Sequence, residues 1–132
     1  MKSNYKSLFA LLAAFMAGAA GKTAMHGQIA KTAPVYVVSE AEVLTNADAV
    51  RDYGSKVQET LAPFNGHYHF VVAGGKVESL DGDGPPKGIV IIAFDNSEQA
   101  HAWYSSPAYA AIKPIRLAAV KGRMFTVVGA AQ

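Results

Sequence analysis

Three histidines, His67, His69 and His101, carry the side chain suited to general acid or base work near neutral pH. His67-Tyr68-His69 spaces two imidazoles so that a strand would put both on one face. Such a pair can supply two metal ligands, but a catalytic zinc site takes a third protein ligand. No acid or further histidine is spaced to provide one, so no metal is assigned and the pair reads as a surface or pocket-rim feature. His101 lies beside Trp103 in a helical stretch, either as a base or as a half-exposed helix residue. Tyr36, Tyr53, Trp103 and Tyr109 join apolar surface to a polar tip, the make-up of a small-molecule cavity. The same residues serve equally as core anchors between helix and sheet. Arg116, two residues after Pro114, offers a planar fork for a ligand carboxylate, or else faces solvent.

Other constellations fail on spacing. Asp81-Gly-Asp-Gly starts like a calcium loop, but its fifth and sixth positions are Pro85 and Pro86 and its twelfth is Ile92. Gly82-x-Gly84 leads into a strand rather than opening a helix, unlike a dinucleotide loop. The chain has no cysteine, and no serine stands in a strand-to-helix elbow, so no nucleophile arrangement is drawn.

The elements that must position these residues follow from periodicity. Val35 to Val43 has the β-branched and aromatic content of a strand. Thr45 or Asn46 opens a helix with its apolar stripe at Val50, Tyr53, Val57 and Leu61. Gly54 inside it costs roughly 1 kcal/mol relative to Ala and is read as allowing close approach of a neighbour. Pro63 and Asn65-Gly66 end the helix. His67 to Ala73, the Gly74-Gly75 turn and Lys76 to Leu80 read as a strand bent or hairpinned at the glycines. Ile89 to Phe94 is apolar without interruption, as in a strand covered on both faces. Asp95, Asn96 and Ser97 can cap a helix over Asn96–Ser105, and Ser106-Pro107 opens a second to Val120. Pro114 should kink that helix or end it near Lys113. Gly122 to Val128 closes the chain as a strand.

This order, β-α-β-β-α-β, is a ferredoxin-like split βαβ arrangement, an α+β fold. The strands are apolar on both faces, at Val35/Val37 and Tyr36/Val38 as at Met124/Val128 and Phe125/Val127. The face turned away from the helices therefore needs a cover. A second copy's sheet is the simplest, which predicts a homodimer through the open face.

At 132 residues and 51% hydrophobic content the chain holds one domain with a proper core. Residues 1–30 are set apart as a signal peptide and short leader, and residues 31–132 form the domain. Lys2 and Lys6 precede the apolar run Leu8 to Ala20, and small residues follow. Lys22 closes that run short of the roughly 20 residues a spanning helix needs, so no stable membrane anchor is expected after cleavage. Export to the periplasm or outside follows. A cut after Gly18-Ala19-Ala20 removes Lys2 and Lys6, and one near Gly27 to Ala30 removes Lys22 as well, leaving nine bases against ten acids and no electrostatic case for nucleic acid.

Phe94-Asp-Asn-Ser-Glu-Gln-Ala-His-Ala-Trp-Tyr-Ser-Ser-Pro-Ala-Tyr109 resembles the F-x-S-x-E-x-A-x-A-W-x-x-S-P-x-Y segment of the domain-of-unknown-function 1330 family, in its signal-bearing branch. Gly66-His67-Tyr68, Gly74-Gly75-Lys76-Val77, the Asp81 to Lys87 loop and the aromatic strand ending at Gly129 fit the same pattern. The resemblance implies the dimeric α/β-barrel superfamily, which includes cofactor-independent oxygenases, haem-degrading enzymes and lactone isomerases. Ala73 stands where many members have Arg, Val128 where Glu is common, and Tyr68-His69 lengthens the strand entry. The expectation is an exported dimer binding a small aromatic or acidic molecule beneath its helices, around a closed cavity lined by Tyr36, Tyr53, Trp103 and Tyr109. Turnover without metal or bound cofactor would use His67 or His69 as base. The alternatives are a non-catalytic envelope accessory module, and haem or metal binding through the histidines.

Overall fold

The computed structural model describes residues 32–73 and 76–130. The expected signal peptide and leader, and the Gly74-Gly75 turn, lie outside the described residues. Strand β1 (Val35–Leu44) leads into helix α1 (Ala47–Leu61), a 3-10 turn (Ala62–Phe64) and strand β2 (His67–Ala73). Strand β3 (Gly88–Phe94), helices α2 (Ser97–Tyr104) and α3 (Pro107–Ala119), and strand β4 (Val120–Val128) complete the domain. The strands form one antiparallel sheet in the order β2-β3-β1-β4. Strands β1 and β2, joined through α1, flank β3; β3 and β4, joined through α2 and α3, flank β1. This is the expected ferredoxin-like split βαβ fold.

Local chemistry sets the helix starts. Asn46, Asn96 and Ser106 each accept a hydrogen bond from the backbone N–H three residues on, at 3.0, 2.9 and 3.2 Å. Each such cap contributes about 1 kcal/mol. Gln99 completes a variant of the capping box by accepting from the Asp95 N–H at 3.2 Å. Helix α1 ends through Asn65 at a left-handed φ of 52° and Gly66, where a Cβ would stand 2.5 Å from the Phe94 ring. No larger residue fits there without moving the core.

Two expectations are corrected. Lys76 to Leu80 is not a strand, and Leu80 is 96% exposed. The hairpin partner of β2 is β3, in register from His67↔Ala93 to Ala73↔Gly88, because the unbroken apolar run of β3 offers the better-covered surface. Pro114 does not end its helix, which runs on to Ala119. The carbonyl it leaves without an N–H partner is that of Ala110, an exposed residue where water can replace the bond.

The core sits between the sheet and the helices. Val35, Val37, Ile92 and Phe94 rise from the sheet to meet Val57 and Leu61 of α1, Ala100 and Trp103 of α2, and Tyr109 of α3. Trp103 is 0% exposed, with its ring centroid 4.3 Å from Tyr109 and 5.6 Å from Phe94. Its indole N–H donates to Thr60 Oγ1 at 2.9 Å, and the Thr60 hydroxyl donates in turn to the Val57 carbonyl at 2.7 Å. A buried N–H thus meets a partner, as a low-polarity interior demands.

Candidate functional site

Side chains fill one end of the helix–sheet layer and leave the other open. The register explains why. Across the helix-facing side, Tyr68, Ile92 and Val37 form one row, and Val71, Val90, Ser39 and Met124 form the next. The row beyond places Gly88 opposite Ala41, so the floor there has almost no side chains. Above it Gly54 of α1 presents bare backbone, and a Cβ built on it meets nothing within 4 Å. The close approach expected at Gly54 is therefore corrected: the glycine roofs open space. The result is a chamber of about 500 Å3 between α1, α3 and the sheet. Small-molecule sites occupy roughly 300–1,000 Å3.

The chamber walls are apolar except at a few points. Val50, Tyr53 and Val57 come from α1, Val90 and Ile92 from β3, and Val120 and Met124 from β4. Arg51, exposed and paired to Asp48 at 3.1 Å, stands at the rim. The Tyr53 and Tyr109 hydroxyls are 2.9 Å apart, and the Tyr109 hydroxyl lies 4.0 Å from Met124 Sδ. Tyr68 donates to the carbonyl of Gly54 at 2.8 Å, tying the chamber's floor to its roof. Burial holds the Tyr53 phenol far above its ordinary pKa, reinforced by its hydrogen bond to Tyr109 and opposed by the nearby Arg116 charge. Burial, with a smaller contribution from Tyr109, pushes Tyr68 up to about 12. At neutral pH both phenols keep their protons, so each can donate a hydrogen bond and neither serves as a base.

Ser39 adds a hydroxyl to the floor, and Arg116 is the polar group that carries a buried charge. It lines the chamber from α3 at 8% exposure, and its Nε makes no hydrogen bond among the described residues. No carboxylate or imidazole stands among the chamber's lining residues. A buried guanidinium without an anion is costly.

Of the residues expected to bind a ligand, Tyr53 and Arg116 line the chamber, while Tyr109 does not line it and meets it only by the hydrogen bond between its hydroxyl and that of Tyr53. Trp103 and Tyr36 do not line it. Trp103 is enclosed in the core beside Phe94 and Tyr109. Tyr36 alternates with the buried Val35 and Val37, so it faces the other side of the sheet, where its ring centroid lies 5.3 Å from that of His69. The expected closed cavity of Tyr36, Tyr53, Trp103 and Tyr109 is thus not formed. His67 pairs with Ala93 on that same open face, and the ladder slips between Tyr68 and Phe70, leaving His69 as an extra residue. His101 is exposed on α2. None of the three histidines lines the chamber, and among the described residues no group of three metal-ligating side chains gathers around them.

Tyr68, Ser39 and Gly88 also line the chamber and carry no strong signal in the sequence. Tyr68 was legible in principle, since it alternates with the histidines it separates.

Similar solved structures share the fold at low identity. A protein of unknown function from Rhodopseudomonas palustris is 13% identical, covers 85% of this chain and 94% of its own, and gives a TM-score of 0.58. A dimeric ferredoxin-like protein of unknown function from Thermobifida fusca is 11% identical, with coverage of 76% and 95% and a TM-score of 0.53. SnoaB, a cofactor-independent oxygenase from Streptomyces nogalater, is 10% identical, with coverage of 76% and 96% and a TM-score of 0.52. At these identities the likeness reaches the fold and goes no further. No curated protein matches the chain. The pattern that begins at Pro34, includes the strand-cap-helix segment through Tyr109 and ends past β4 is matched over residues 34–130, and by that match the chain belongs to the family described as Domain of unknown function (DUF1330).

Proposed function

We propose that the protein binds a small, largely apolar or aromatic molecule in the chamber beneath α1 and α3. One observation carries this reading: about 500 Å3 is left unfilled in a domain whose other end is close-packed. Protein interiors seldom leave such space without use, because an apolar void forfeits packing energy in proportion to its volume. The walls suit a ligand with an apolar body, and the tyrosine hydroxyls give it orientation.

The absence of an imidazole or carboxylate among the lining residues favours binding over acid–base turnover. A second reading, catalysis without a cofactor, draws on the fold shared with SnoaB, itself a cofactor-independent oxygenase. It would rest on a substrate acidic enough to react with only Arg116 and the tyrosine hydroxyls beside it. The apolar open face of the sheet, and the neighbour described as dimeric, support a homodimer. The basic, then apolar, then small-residue order of residues 1–30 supports export to the periplasm or outside the cell.

Titration with 1-aminoanthracene, an uncharged fluorescent probe, tests the chamber. The wild type should bind one probe per chain with enhanced emission. Gly54→Leu, whose side chain enters open space, should abolish that signal while folding normally. Unaltered binding in this variant would place the ligand elsewhere and end the reading.

A further inference from the structure

We propose that the ligand is a monocarboxylic acid, with its carboxylate on Arg116 and its apolar body running beneath Gly54 over Val90 and Ser39. This inference rests on the chamber reading above and specifies its ligand. Three observations meet in it. Arg116 is buried and its Nε has no hydrogen-bond partner among the described residues, although a guanidinium is built to hold a carboxylate with parallel bonds. Among the described residues no acidic side chain lines the chamber to neutralise it. Among the described residues the one other charged group on the lining, Arg51, is at the rim and has the same sign.

The alternative tenants fit poorly. A cation would meet two arginines and no anion. A neutral ligand would leave the buried guanidinium uncompensated, with the penalty that an unpaired buried charge carries. A dianion would bring a second charge into walls that are mostly aliphatic, with Arg116 the one buried cation among the described lining residues. A single carboxylate settles the charge and leaves the apolar volume for an alkyl or aromatic body. Tyr53 is placed to add a second donor. Its hydroxyl is shared only with Tyr109, either of which can give the proton, and it lies close enough to Arg116 to feel its charge. When Tyr109 turns its proton from Met124 Sδ to Tyr53, the Tyr53 proton is free for the ligand.

The test is calorimetric titration of the full chain at neutral pH with two matched pairs, octanoate against octanol and 2-naphthoate against 2-naphthol. In the wild type the acid of at least one pair should bind about tenfold or more tightly than its alcohol, as a charge-assisted hydrogen bond of 1.5 kcal/mol or more implies. Arg116→Met should bring acid and alcohol to equal affinity and should melt higher than the wild type without ligand. If that variant does not fold, Arg116→Gln makes the same comparison. Equal binding of acid and alcohol by the wild type, with both lost in Gly54→Leu, would overturn the carboxylate inference and leave the chamber reading standing. An acid preference that survives removal of the guanidinium would overturn it too. Failure of acids, alcohols and 1-aminoanthracene alike to bind the wild type would remove both.

Discussion

Tyr53 and Tyr68 are held as neutral phenols by burial, and this has a consequence for stability at high pH. A phenol whose folded pKa is raised keeps its proton in the native state after the unfolded chain has lost it. Below the unfolded value of about 10 the two states bind the same protons, and stability is whole. As pH climbs from about 10 to 12, the unfolded state is favoured by proton release, and the share carried by Tyr68 levels off at its folded value of about 12. Tyr53 extends it in the same direction. Denaturant midpoints should therefore fall steeply between pH 10 and 12. In Tyr53→Phe/Tyr68→Phe the neutral-pH midpoint should be lower, since two hydrogen bonds are gone, while the alkaline slope flattens. A variant with the wild-type slope would show that other groups cause the loss. Thr60 makes a second point at this scale. Thr60→Val keeps the shape but leaves the Trp103 N–H unpaired in the core, at a cost of about 1–3 kcal/mol in unfolding free energy. A cost near zero would mean that the indole finds another partner.

At the scale of the element, Gly54 sets helix stability against cavity volume. Gly54→Ala should raise unfolding free energy by up to about 1 kcal/mol through helix propensity, since the added methyl meets no atom within 4 Å. The same methyl enters the chamber, so probe affinity should fall as the melting temperature rises; a rise in both would contradict the roof role. The elements themselves were largely legible. Strand β3, the caps at Asn96 and Ser106 and the Val50–Leu61 stripe are local patterns, and local patterns survive folding. What escaped was set by pairing between strands distant in sequence. Only register puts Gly88 opposite Ala41, and only the placement of α1 sets Gly54 above them, so the chamber could not be read from either segment alone. Tyr36 shows the same limit from the other side. Its neighbours Val35 and Val37 took the core, and strict alternation sent it to the opposite face, away from the tyrosines it was grouped with. The aromatic count pointed to a pocket, yet the residues that make one here are those with least side chain.

At the scale of the whole molecule, the open face of the sheet carries the argument. Phe70, Ile91, Val38 and Phe125 stand opposite one another in a single row across all four strands. Phe70 is 48% and Phe125 39% exposed in the single chain. The next row sets Val127 beside Tyr36, Ala93 and His67, and the row on the other side ends in the Glu40–Arg123 ion pair at 2.7 Å. An apolar band closed off by a charged border has the anatomy of an interface, dry at the centre and wet at the rim. In a two-fold arrangement each residue near the axis faces its own copy, so one introduced charge is felt twice. If the open face pairs two copies, the wild type should sediment as a dimer at micromolar concentration and Phe125→Glu as a monomer. Its chamber, on the far side of the sheet, should still bind 1-aminoanthracene, which separates loss of assembly from loss of fold. A dimer that persists in Phe125→Glu would place the contact on another surface and leave the apolar row without a partner.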